Sequence, residues 1–281
     1  LRFMIKKAYL KKIFEFYVFS NIHVALAVFS LSYLTLYEFQ LEDQLITRFN
    51  FLATFIAYNF IRYFEIDNQS DYYIQWIQRN KNKLILLILI GLIWMIEILF
   101  KIEHRTHLFI LPFVFTSFFY VVPLPYFRLR LRYIASIKLF LIALTWAGVT
   151  VVLPLVQCEY EFTSNSFIVL FQRFLFILAL TIPFDIRDLK IDSSEIKTLP
   201  QSIGVDKSKI VGTISLLMFF VLELFKQPLI EKSFLEIAVI TVISLLFLNY
   251  SSKNRKLFYT IFWVEAIPIF WLVLVLIFRN L

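Results

Sequence analysis

Residues 84–101 read LILLILIGLIWMIEILFK, with Glu97 as the one acid before the closing Lys101. A membrane-spanning helix needs roughly 20 mostly apolar residues, so this stretch is a short span. A second apolar run, 106–125, follows after only Lys101 to Arg105. The two read as consecutive spans, or as a hairpin with its turn sunk in the headgroups. Working outward, comparable runs cover 13–37, 45–65, 134–156, 166–187, 209–226, 234–250 and 257–279. The reading is an all-α polytopic transmembrane helical bundle of about nine spans, with 1–281 as a single integral membrane domain and a short basic segment at 1–12.

Composition agrees. The chain has 281 residues, 60% of them hydrophobic and 19% aromatic, with four glycines, and a mean hydropathy of +0.78. Soluble domains sit near 45–50% apolar, and too few polar residues remain here to cover such a surface in water. The net charge of +8 does not mark a nucleic-acid binder, because the basic residues fall in short clusters between apolar runs. With the N-terminus inside, the inside segments 1–12, 66–83, 126–133, 188–208 and 251–256 hold most of the Lys and Arg. The outside segments are short and often acidic, with Glu38, Glu42, Asp43, Glu159 and Glu161. That asymmetry orients the bundle with its N-terminus cytoplasmic, and a bacterial cytoplasmic membrane is the expected location. Arg2, Lys6, Lys7, Lys11 and Lys12 precede an apolar run longer than that of a signal peptide, with no small-residue cleavage site after it. Cys158 is the single cysteine, so no internal disulfide or cysteine metal site is expected. His23, His104 and His107 are scattered.

Charge at membrane depth is costly and commonly faces a cavity or a partner. The strongest polar group is Asp185, Arg187, Asp188, Lys190 and Asp192. On a helix, 185, 188 and 192 share one face, and three carboxylates there repel unless a cation sits between them. Oxygen-rich clusters of this kind suit Mg²⁺, which bridges to substrate phosphates. The alternative is a solvated helix end neutralised by Arg187, Lys190 and Lys197. A second group ends the second span, where Asn59, Tyr63 and Asp67 form a stripe flanked by Arg62. It implies a polar cavity, or else Arg62 snorkels and Asn59 bonds a neighbouring helix. In a third group, Arg128, Arg130 and Arg132 touch anionic lipid or clamp phosphate, and Lys138, a turn into the fifth span, is the better cavity-facing cation. Glu265, beside Pro268, lines a pocket or accepts a bond from a neighbouring helix, and the structural role is the first reading. Arg173, Glu97 and Glu223 lie near span ends and are expected to snorkel.

The stretch from Asp185 to Asp192, continued by Lys197-Thr198-Leu199-Pro200 and Gly204, resembles the second Asp-rich motif of the UbiA superfamily of intramembrane prenyltransferases. Asp185 holds a position often occupied there by Asn. The resemblance implies Mg²⁺-dependent transfer of an isoprenyl group from a prenyl diphosphate to an aromatic or lipidic acceptor in a lipid-open cavity. It implies Asp188 and Asp192 as catalytic, and Asp185, Asp188, Asp192 and Asp67 as metal ligands. Asn59, Arg62, Arg187, Lys197, Arg128 and Lys138 would bind substrate. The first motif of that family is usually Asn-Asp-x-x-Asp-x-x-x-Asp. Here Asn59 and Asp67 remain, while Phe60 and Tyr63 replace the two acids between them, leaving Arg62 to neutralise diphosphate. The alternative is a UbiA-like protein without catalysis that binds an isoprenoid or quinone lipid or acts as a scaffold. A small transporter is disfavoured by the low glycine count.

Overall fold

The computed structural model describes residues 2–64, 71–123, 137–189, 198–228 and 231–280, and every regular element among them is helical. In chain order these are α1 (Arg2–Phe19), α2 (Ile22–Glu38), α3 (Gln44–Phe64), α4 (Asp71–Leu99) and α5 (His104–Val121). Next comes α6 (Ile137–Ala147), which runs through a π-helical turn, Gly148–Val152, into α7 (Leu153–Gln157). Then follow α8 (Ser164–Asp188), the short α9 (Leu199–Ile203), and α10 (Val205–Val221) with its 3-10 turn Leu222–Phe225. The fold ends with α11 (Glu231–Tyr250) and the π-helical segment Tyr259–Val264 leading into α12 (Ile267–Asn280).

Among the described residues, six helices are long and apolar enough to cross a membrane. They become seven when the bent pair α1–α2 counts as one span. This marks the chain as an integral membrane protein. The helix α8 is the hub, with 61% of its most apolar window buried, against 17% for α4. A Thr163–Ser166 capping box starts α8, supplying partners for amides that the first turn leaves open. Its apolar face packs Phe176 against Phe219 of α10 and Trp271 of α12, with ring centroids 5.3 Å apart in both pairs. The rim is the reverse case. Leu86, Ile93, Trp94, Leu108, Leu111 and Phe115 on α4 and α5 are exposed, a surface that suits lipid rather than water.

Close approach at the hub requires Gly212 of α10, where an added Cβ would come within 2.7 Å of Leu248 and 2.9 Å of Ile182. Overpacking of this kind costs about 1–3 kcal/mol. Gly212→Leu should lower stability by that amount in thermal unfolding of the detergent-solubilised protein, and an unchanged midpoint would refute the tight contact.

Several features depart from the sequence reading. The predicted span 13–37 is broken: Asn21 takes a left-handed φ of 68°, a conformation Asn tolerates better than most residues, and α1 bends 58° from α2. The carbonyl of Ser20 at the break accepts the Asn59 amide at 3.0 Å. The predicted inside loop 66–83 is helical from Asp71 onward, because Tyr73 and Trp76 pack on Phe19 at 5.2 and 5.4 Å. Arg173 does not snorkel. It is 2% exposed, donates to Leu31 O at 2.7 Å and lies 5.3 Å from the Trp271 ring. Its neighbours satisfy the guanidinium inside the bundle, so it has no need to reach an interface. Glu223 is likewise buried, at 1% exposure, because Lys226 and Gln172 meet its carboxylate at 2.8 and 2.9 Å. Glu97 stays exposed and pairs with Lys101.

Candidate functional site: a polar-mouthed cavity

One large cavity, about 630 Å³, lies between α3, α5, α6, α8 and the π-helical entry to α12. Its size is that of a small-molecule site. Most of the wall is apolar or aromatic, and charge gathers where α3 and α8 end and α6 begins. Arg62, Lys138, Asp185, Arg187, Asp188 and Glu265 all line it.

The charged groups are held by specific contacts. Lys138 Nζ donates to Asp185 Oδ1 at 3.0 Å, and the pair is largely buried. Arg187 grips Asp188 with two nitrogens, at 2.6 and 2.8 Å, and donates a third bond to Thr260 Oγ1 at 2.6 Å. That fork geometry is the one that serves arginine on carboxylates and phosphates alike. Arg62 donates to the Tyr73 hydroxyl at 3.3 Å and lies over its ring. No hydrogen bond or ion pair within the described residues engages the carboxylate of Glu265.

Two π-helical segments border the cavity, and such irregularities are frequent at functional sites. In the second, the Glu265 amide reaches back to Thr260 O at 3.2 Å. His23 secures this segment from α2: its Nε2 donates to Phe262 O at 2.9 Å, and its Nδ1 accepts from Tyr17 at 2.7 Å. Gly148, in the first segment, lets the Phe113 ring close on it, since an added Cβ would fall 2.2 Å from that ring.

The structure brings together Arg62, Lys138, Asp185, Arg187 and Asp188 from the sequence-derived set. It does not bring Asn59 with them. That amide turns to Ser20 O and Phe55 O at 3.0 and 2.8 Å, and Tyr63 is 67% exposed. The cavity face of α3 runs instead through Asn50, Thr54, Tyr58 and Arg62, a strict i, i+4 series one residue out of step with the stripe expected at 59 and 63. Asp67, Arg128, Asp192 and Lys197 lie outside the described residues, as do Glu65, Arg130, Arg132 and Lys190. Glu265 lines the cavity, the second of the two readings its sequence allowed. Its signal in the sequence was an acid two turns into an apolar run beside Pro268.

The two described acids of the expected metal set, Asp185 and Asp188, each already face a cation. The described residues contain no group of three or more His, Cys, Asp or Glu placed to hold a metal ion, so by themselves they do not form an Mg²⁺ site. Cys158 is free. Burial pushes its thiol up to about 11, with the Asp43 carboxylate adding to the shift, which keeps it protonated at neutral pH and out of nucleophilic chemistry. No protein family, curated protein or solved structure matches the chain.

Proposed function

We propose that the chain is a UbiA-like membrane prenyltransferase that transfers an isoprenyl group from a prenyl diphosphate to an aromatic or lipidic acceptor. One observation carries the reading: three cations and two acids from α3, α6 and α8 meet at the mouth of a single cavity whose interior is apolar. The diphosphate binds at Arg62, Lys138 and Arg187, and the isoprenyl tail lies along the apolar wall. Departure of diphosphate leaves charge on its oxygens, and fixed cations there lower the barrier to that step. The largely apolar wall limits capture of the allylic cation by water.

The finer architecture belongs to the same proposal. The helix α3 has 21 residues, about 31 Å at 1.5 Å per residue, and with α5 it would raise seven spans to nine, N-terminus cytoplasmic. Mg²⁺ belongs to the same proposal: Asp188 together with Asp192 and Asp67 would hold it, and it would neutralise charge on the diphosphate.

The test is transfer from tritiated geranyl, farnesyl and geranylgeranyl diphosphates to a series of phenols and hydroquinones in membranes, with Mg²⁺ and after chelation. Wild type should transfer in a metal-dependent way, and Asp188→Ala and Asp192→Ala should both be inactive. Transfer untouched by both substitutions sinks the mechanism.

A second reading has its own support. With Asp185 and Asp188 each engaged by a cation, and with Phe60 and Tyr63 where the resemblance calls for acids, the cavity suits binding of an isoprenoid or quinone lipid without turnover. Phe60 lines the cavity while Tyr63 points outward, so Phe60→Asp is the informative restoration. On this second reading it would confer a metal-dependent transfer that wild type lacks.

A further inference from the structure

We infer that Glu265 is the base that receives the acceptor's proton, and that the acceptor is an aromatic ring seated between Glu265 and the Tyr58–Trp146 pair. The inference rests on the prenyl-transfer reading and adds the residue that completes the reaction. Three observations support it.

First, Glu265 faces the cavity, and its carboxylate has no hydrogen-bond or ion-pair partner within the described residues. The two acids at the mouth are engaged, Asp185 by Lys138 and Asp188 by Arg187. A carboxylate that faces a largely apolar cavity and has only the through-space charge of Arg62 and Arg187 is costly to leave unbonded and is open to a ligand or a proton.

Second, its position is right. Thr260 binds Arg187, and Glu265 follows one π-helical turn later on the same segment, its amide bonded to Thr260 O. A diphosphate held by Arg187 and Arg62 would therefore lie in the same part of the cavity as Glu265. The segment is fixed there by His23 through Phe262 O.

Third, a ring platform lines the same cavity. Tyr58 and Trp146 meet edge to face with centroids 6.5 Å apart, both line the cavity, and Tyr58, Arg62 and Arg187 lie within electrostatic reach of Glu265. Aromatic faces hold a planar acceptor and tolerate the cation that approaches it.

The reaction balances as follows. A π pair of the acceptor ring forms the new carbon–carbon bond to the allylic carbon. The carbon–oxygen pair leaves with the diphosphate. The carbon–hydrogen pair at the alkylated position restores aromaticity, and that proton passes to the Glu265 carboxylate and then to water at the cavity mouth.

Glu265→Gln keeps the size and polarity of the side chain but cannot take the proton. With tritiated farnesyl diphosphate and a hydroquinone acceptor, transfer by this variant should fall by about 10²–10⁴-fold, the usual contribution of a positioned base. Its affinity for farnesyl diphosphate, measured by direct binding, should match wild type. Wild-type transfer by Glu265→Gln overturns the inference while leaving the prenyl-transfer reading intact. Loss of diphosphate binding also overturns it, because the residue would then serve the leaving-group side. A wild-type protein that transfers nothing defeats both. If Glu265→Gln unfolds, Glu265→Ala decides the matter: return of transfer on adding formate supports the base, and no return overturns it.

Discussion

Replacing Lys226 with methionine lowers the stability of the bundle by about 3–5 kcal/mol, the usual result of stranding one partner of a buried ion pair. Lys226 reaches Glu38 at 2.5 Å and Glu223 at 2.8 Å, joining the end of α2 to the 3-10 turn after α10. Gln172 of α8 completes the cluster by donating to the same Glu223 oxygen. Without the lysine, Glu223 keeps its burial and loses its counter-charge. The double variant Lys226→Met with Glu223→Gln should recover part of the loss, which thermal unfolding in detergent would read. Equal stability of Lys226→Met and wild type would show that the cluster contributes nothing. The pH dependence follows from the lysine. Burial alone would lower its pKa, but Glu38 and Glu223 outweigh that, and the net direction is upward. A pKa raised on folding stabilises fully below the unfolded lysine value, about 10.4, and that stabilisation is lost as pH rises through the folded value. The unfolding midpoint should therefore fall on the alkaline side, and less so in Lys226→Met.

The second large effect is expected at the cavity mouth. Arg62→Gln and Arg187→Gln should each weaken prenyl diphosphate binding by roughly 10- to 100-fold, since a hydrogen bond to a charged group contributes about 1.5–3 kcal/mol and each 1.4 kcal/mol is tenfold. Arg187 has the larger expected effect, because its loss also frees Asp188 to repel the phosphates. Arg187→Lys keeps the charge but not the fork, and should fall between wild type and Gln. Binding of wild-type strength in both Gln variants would remove these arginines from the site. A drop confined to Arg187→Gln would leave Arg62 a structural partner of Tyr73.

The class of the protein was legible because lipid imposes its demand on composition. Long apolar runs such as 84–101 have no other comfortable solvent, and among the described residues six or seven helices are long and apolar enough to cross a membrane. Boundaries were less legible where packing overrides hydropathy. Nothing local announces the break at Asn21; it is held by the Asn59 amide from another helix. The start of α4 at Asp71 was hidden because its polar residues look like a loop until Tyr73 and Trp76 find Phe19.

The charged residues divide in the same way. Sequence alone marked Arg62, Lys138, Asp185, Arg187 and Asp188 as costly in an apolar chain, and that cost is why they were visible. It could not separate them from Arg173 and Glu223, which carry the same cost and meet it inside the core. Nor could it set the phase of α3, where the cavity takes Tyr58 and Arg62 and leaves Asn59 and Tyr63 outside. The hydropathy of each segment is a property of that segment, so the sequence by itself determined a helical membrane protein and its candidate polar groups. Which groups share a cavity, and that Glu265 stands in it without a hydrogen-bond or ion-pair partner among the described residues, depends on rotations of whole helices by a fraction of a turn. Those rotations are fixed by contacts between residues far apart in the chain, so only the tertiary structure decided them.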